Sequence, residues 1–138
     1  MTRPPRQVPL SLRYGLIAIA GLALLSSADW LRGQRLQLAP PGNWLLGVAP
    51  NFAAAIAITF VLLGGWTDRA GAAAFPVARM RFIMAALVSL AGLIGWEFIQ
   101  RSSNRFVFDP ADMLATLVGI GVSLLLFLSV TPRHLGQP

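Results

Sequence analysis

The residues in this chain that can do chemistry are few and closely spaced. Glu97, Gln100 and Arg101 are spaced i, i+3 and i+4, so on a helix they share one face. Asp109, Asp112, Thr116 and Gly119 follow at spacings of three, four and three, again one helical face. Arg105 lies between the two groups, and Asp29 stands earlier in the chain at the end of an uncharged block. Carboxylates set beside guanidiniums and amides can hold a zwitterionic or phosphorylated group through charge-assisted, bidentate hydrogen bonds. The same residues would support acid–base chemistry, with Glu97 as general base and Arg101 or Arg105 opposite a developing anion. Carboxylates alone could instead hold a hard divalent ion such as Mg2+.

Other chemistries are excluded by composition. The chain has no cysteine, which removes disulfides, thiolate nucleophiles and Cys-ligated metals. Its single histidine, His134, lies far along the chain from the acids, which argues against a Ser-His-Asp triad. No nucleophile is accompanied by an activating base. No cofactor and no dedicated metal site are expected. The formal net charge of +6 is carried by arginines that flank apolar segments, with no basic stripe of interleaved aromatics, so nucleic acid is not expected as a partner.

The elements that must position these residues follow from hydrophobicity. Of the 138 residues, 56% are hydrophobic and 12% are charged, too few charges to cover a water-soluble surface. The apolar residues fall into four continuous blocks, not the alternating strands of about ten residues that a membrane β-barrel needs. The fold expected is all-α: a polytopic integral membrane protein forming one domain over 1–138, with four transmembrane helices at about 12–31, 44–66, 80–99 and 110–131. Within the second block, Pro50-Asn51 suggests that the main helix starts near Pro50, with Trp44–Ala49 as an interfacial lead-in and Gly64-Gly65 as its end. The connections expected are 31–43, with the turn signal Pro40-Pro41-Gly42, then 67–81, then a short polar stretch from Gln100 to Phe108. A basic start, an apolar stretch and Ser26-Ser27-Ala28 also match a signal peptide, whose cleavage would remove residues 1–28 and leave three spans.

Four spans put both termini and the second connection on one side with seven arginines, against four on the other. The positive-inside rule then predicts both termini in the cytoplasm of a cell with a multi-pass protein in its inner (plasma) membrane. With that topology Asp29, Glu97, Asp109 and Asp112 converge on the far face, with Asn51 of the second helix as a further contributor. Some of these have a strong structural explanation beside the functional one. Asp109-Pro110-Ala111-Asp112 is a sound helix start, with an Asp cap and Pro at the first position. Glu97 has no such explanation, because an acid near a helix C-terminus opposes the dipole. It is either a buried ion-pair holder or part of a binding site. Gln100 and Thr116 fit interhelical hydrogen bonding as well as ligand contact. Trp30, Trp44, Trp66 and Trp96 read as interface markers. Ala111, Ala115, Gly119 and Ser123 form a small-residue row suited to close packing, either within the chain or between copies in a homo-oligomer.

The pattern Glu97-x2-Gln100-x11-Asp112-x3-Thr116-x2-Gly119, preceded by a tryptophan and followed by an apolar span, resembles the VanZ-like family of small bacterial membrane proteins. Members of that family show Glu-x-x-Gln at the end of one span, an Arg-containing loop, and Asp, Asn and Gly on the next span. Asp29 resembles the acid that members carry after the first span. The resemblance covers residues 96–121 and is weak over the second span. Thr116 stands where the family has Asn, and Arg105 stands one position early. The resemblance implies a cell-envelope role linked to resistance to glycopeptides such as teicoplanin, without implying a reaction.

Three functions are therefore weighed. The first is a non-catalytic envelope protein that binds a lipid headgroup, an envelope precursor or a glycopeptide at the polar cluster, with membrane lipids as its surroundings. The second is a membrane-embedded enzyme acting on a lipid-linked substrate through Glu97 and the loop arginines. The third is a transporter or channel subunit, disfavoured because the polar residues gather at one face instead of threading the bilayer. The first fits the mixture of charges best.

Overall fold

A computed structural model of the chain describes residues 8–35, 38–101 and 110–133, apart from the side chains of Gln100 and Arg101. Four helices account for nearly all of it: α1 (Leu10–Gly33), α2 (Pro40–Ala70), α3 (Phe75–Arg101) and α4 (Pro110–Val130). Each is long and apolar enough to cross a membrane, which takes about 20 residues. No strand occurs among the described residues. The protein is all-α, with the architecture of a polytopic membrane protein.

The helices are longer than their apolar blocks, and the second differs most from expectation. α2 does not begin near Pro50 but at Pro40, and it runs for 31 residues with Pro50 inside it. Pro40 and Pro41 occupy the first helical positions, where the missing N–H would have no intrahelical acceptor anyway. The Asn43 side chain closes this start: its amide donates to the Leu38 carbonyl at 2.8 Å, and its Oδ1 accepts from the Leu38 N–H at 3.1 Å. The turn signal in the sequence is thus a helix start. At the other end Gly64-Gly65 does not terminate α2. The helix continues to Ala70 and stops at Gly71, whose φ of 74° suits glycine. The connection to α3 is correspondingly short, and Arg81 ties it down by donating to the Gly71 carbonyl at 2.7 Å.

α2 is the central helix, packing against all three others. α1 runs antiparallel to it, and small residues set their closeness. A Cβ added at Gly21 would lie 3.0 Å from the Ala57 backbone, while Gly64 faces Tyr14. α4 approaches the opposite stretch of α2 even more tightly: a Cβ at Gly119 would lie 2.7 Å from the Phe52 carbonyl oxygen and 2.8 Å from the Ala55 Cβ. Ala115 and Ser123 of the same row are also buried within the chain. α3 joins α2 through Ser89, whose hydroxyl donates to the Ala55 carbonyl at 3.3 Å. α3 and α4 touch each other less than either touches α2.

Polarity is distributed as lipid demands. Thr59, Ser89, Thr116 and Ser123 are buried, whereas Leu16, Ile19, Val61, Val88, Leu117 and Leu125 are exposed. Lipid tails are as apolar as these side chains, so nothing drives them inward, and association depends on close packing and hydrogen bonds. All four tryptophans are exposed and lie within about a turn and a half of a helix end, where interfacial rings belong.

Candidate functional site

Glu97 is the centre of the candidate site. It lies one turn before the end of α3 and is only 3% exposed, although it is acidic and the helix dipole there opposes it. Asn51 of α2 provides for it: the Nδ2 amide donates to Glu97 Oε1 at 3.1 Å. Glu97, which has no capping explanation in the sequence, is thus buried and paired by the fold. Asn51 itself is half-buried and follows Pro50 directly.

The packing of α2 on α4 fixes where that amide stands. Phe52, next to Asn51 in the chain, is the residue whose carbonyl rests against Gly119. A side chain at position 119 would push α4 away at the level of the Asn51–Glu97 bond. The sequence places Gly119 both on the polar face and in the row of small residues suited to close packing, and it is the packing role that the structure shows.

α4 enters the site through its first turns. Asp112 is half-buried in the first turn, where an acid complements the helix N-terminus. One turn on, Thr116 is 2% exposed, and its hydroxyl donates to the Asp112 carbonyl at 3.0 Å. Expected to bond across helices, Thr116 instead returns its proton to its own backbone, as buried hydroxyls in apolar helices do. Glu97 on α3, Asn51 on α2, and Asp112 and Thr116 on α4 occupy the same end of the bundle, with α2 between α3 and the tight α4 contact.

The remaining expected members divide in two. Asp29 is in the last turns of α1 and exposed. Gln100 and Arg101 close α3, but their side chains lie outside the described residues, as do Arg105 and Asp109 entirely. Among the described residues, no group of three or more His, Cys, Asp or Glu is placed to hold a metal ion.

The opposite end of the bundle holds structure that the sequence did not signal. Tyr14, Phe60, Phe75, Phe82 and Phe127 form a stacked aromatic core, with Phe82 and Phe127 centroids 4.6 Å apart. The Tyr14 hydroxyl shares a 2.7 Å hydrogen bond with Thr131 Oγ1, and Arg13 donates to the Val130 carbonyl at 3.2 Å. These bonds fasten the start of α1 to the end of α4. The only hint was a tyrosine at the edge of an apolar block.

Comparison of the chain with protein-family models, with curated proteins and with solved structures finds no match.

Proposed function

We propose that this chain is a non-catalytic bacterial envelope protein of VanZ-like type. On this reading it binds a lipid headgroup, an envelope precursor or a glycopeptide at the cluster around Glu97. The observation that carries the reading is a carboxylate only 3% exposed near one end of an apolar four-helix bundle and held by an amide from the neighbouring helix. Charged groups inside a membrane are expensive, and those that persist commonly serve a ligand or a pathway. The buried acid and its amide partner lie at one end of the bundle and an aromatic core fills the interior towards the other, which supports binding at a face over passage through the bundle. Arg101 at the end of α3 and Arg105 beyond it would complete the grip on an anionic or zwitterionic group. The protein sits in the plasma membrane with both termini cytoplasmic, as the seven-to-four division of arginines favours.

One cysteine-based experiment tests address and site together, because the native chain lacks the residue. Single cysteines at Gln34, Ala72 and Ser103 are treated with an impermeant thiol reagent on intact cells. Labelling at 34 and 103 but not at 72 is expected, and the reverse pattern overturns the orientation. In the same background Glu97→Gln keeps an acceptor for Asn51 but removes the charge. Purified protein in non-ionic detergent is then titrated with phosphatidylethanolamine and with teicoplanin. The variant is expected to fold normally and to lose at least tenfold in affinity for one of them, roughly one charge-assisted contact. Unchanged affinity for both probes, or no binding by the native protein, refutes the proposal.

A further inference from the structure

Between α3 and α4, which touch each other less than either touches α2, a cavity of about 610 Å3 opens along the side of the bundle. Its size is within the range of about 300–1,000 Å3 typical of small-molecule pockets. Its walls are apolar, with Phe82, Leu87 and Leu90 from α3 and Leu124 from α4. Arg79 and Arg133 stand at its mouth, both exposed, at the end of the bundle where α1 begins and α4 finishes. Among the described residues, no carboxylate lines the cavity. Asp68, the acid described at this end, shares a different surface hollow with Pro9 and with Ser11 and Gly15 of α1.

The dimensions match one occupant. From Arg79 to Leu90 is eleven residues, roughly 16 Å at the helical rise. Half of a hydrocarbon core about 30 Å thick is about 15 Å. The cleft therefore runs the depth of one leaflet, with its cations where headgroup phosphates lie.

We propose that the α3–α4 cleft is a binding site for a membrane phospholipid with an anionic headgroup, its acyl chain along the cleft and its phosphodiester between Arg79 and Arg133. Two guanidiniums, each with several donors in a planar fork, can hold the phosphodiester, and with no acid among the described lining residues they favour a lipid of net negative charge over one whose choline or ethanolamine adds a cation. Basic pockets between transmembrane helices are a recurrent way of holding anionic lipids. The lipid would also fill the gap between α3 and α4, so that it acts as part of the bundle's packing. This site is at the opposite end from Glu97 and does not depend on the function proposed for that residue.

The test uses the full chain in nanodiscs containing equal amounts of phosphatidylglycerol and phosphatidylcholine. The protein is extracted into mild detergent, and native mass spectrometry counts the lipid retained. One phosphatidylglycerol is expected to be retained in preference to phosphatidylcholine. Arg79→Gln with Arg133→Gln should weaken phosphatidylglycerol retention by about ten- to thirtyfold, removing the preference. Leu87→Trp places an indole in the cleft from an exposed wall position and should abolish retention of both lipids. Equal retention of the two lipids by the native protein, or an undiminished preference in the arginine variant, overturns the proposal. So does lipid retained as before by Leu87→Trp, which decides the question even if the arginine variant fails to fold.

Discussion

At the scale of single residues, the relation between Glu97 and Asn51 is the point on which the candidate site turns. A buried carboxyl near a helix C-terminus is destabilising alone, and an amide from the next helix offsets part of that cost. Removing either partner leaves the other with an unmade bond in a region poor in water. Asn51→Ala should therefore destabilise the protein by about 1–2 kcal/mol in detergent thermal unfolding. The double substitution Asn51→Ala with Glu97→Ala should cost less than the sum of the singles, with a coupling of about 0.5–2 kcal/mol. Strict additivity would mean that the 3.1 Å contact contributes no interaction energy. Thr116 shows the contrary case. Its hydroxyl is satisfied within α4, so its burial reports helix packing and carries no evidence of a ligand.

At the scale of helices, glycine and proline do different things in different places, and spacing alone did not distinguish them. Gly119 sits where α4 presses on the Phe52 carbonyl, whereas Gly121, two residues on, has nothing within 4 Å of where a Cβ would be. Gly119→Ala should cost about 1–3 kcal/mol by forcing α4 off α2. Gly121→Ala should be neutral or stabilising by up to about 1 kcal/mol, because alanine is the better helix former and nothing obstructs it. Equal effects of the two substitutions in thermal unfolding would contradict the close α2–α4 contact. Pro50 follows the same logic. Proline inside a soluble helix commonly ends it, but a membrane helix tolerates proline because neighbouring groups can satisfy the freed carbonyl. The expected start of α2 near Pro50 relied on the soluble rule, and the helix passes through it.

At the scale of the whole molecule, α2 organises the bundle and the two chain ends are clasped beside it. The Tyr14–Thr131 and Arg13–Val130 bonds join residues 117 apart in sequence. Tyr14→Phe keeps the ring within its aromatic neighbours and deletes only the hydroxyl. It should lower stability by about 0.5–1.5 kcal/mol and speed amide exchange at the beginning of α1 and the end of α4, leaving exchange around Asn51 unchanged. A uniform rise in exchange along the chain would show that the clasp is not local. The bundle thus has two distinct ends, a hydrogen-bonded aromatic one at the termini and one built around a buried acid.

Hydrophobic blocks and sparse charge were enough, without coordinates, to establish an all-α chain with four helices suited to a membrane, because each span must satisfy its own backbone hydrogen bonds in lipid. They also singled out Glu97, since an acid at that position has no local explanation. Helix limits were less legible: apolarity marks what contacts lipid, whereas α2 and α3 extend beyond it through Pro40, Gly65 and Phe75. Which helices touch was decided only in three dimensions. The choice of α2 as centre, the approach of Gly119 to Phe52, the Ser89 bond to Ala55 and the open cleft between α3 and α4 depend on side-chain shapes meeting across the bundle. Among helices that are apolar nearly all round, no stripe in the sequence says which face turns inward, so packing of small residues makes that selection.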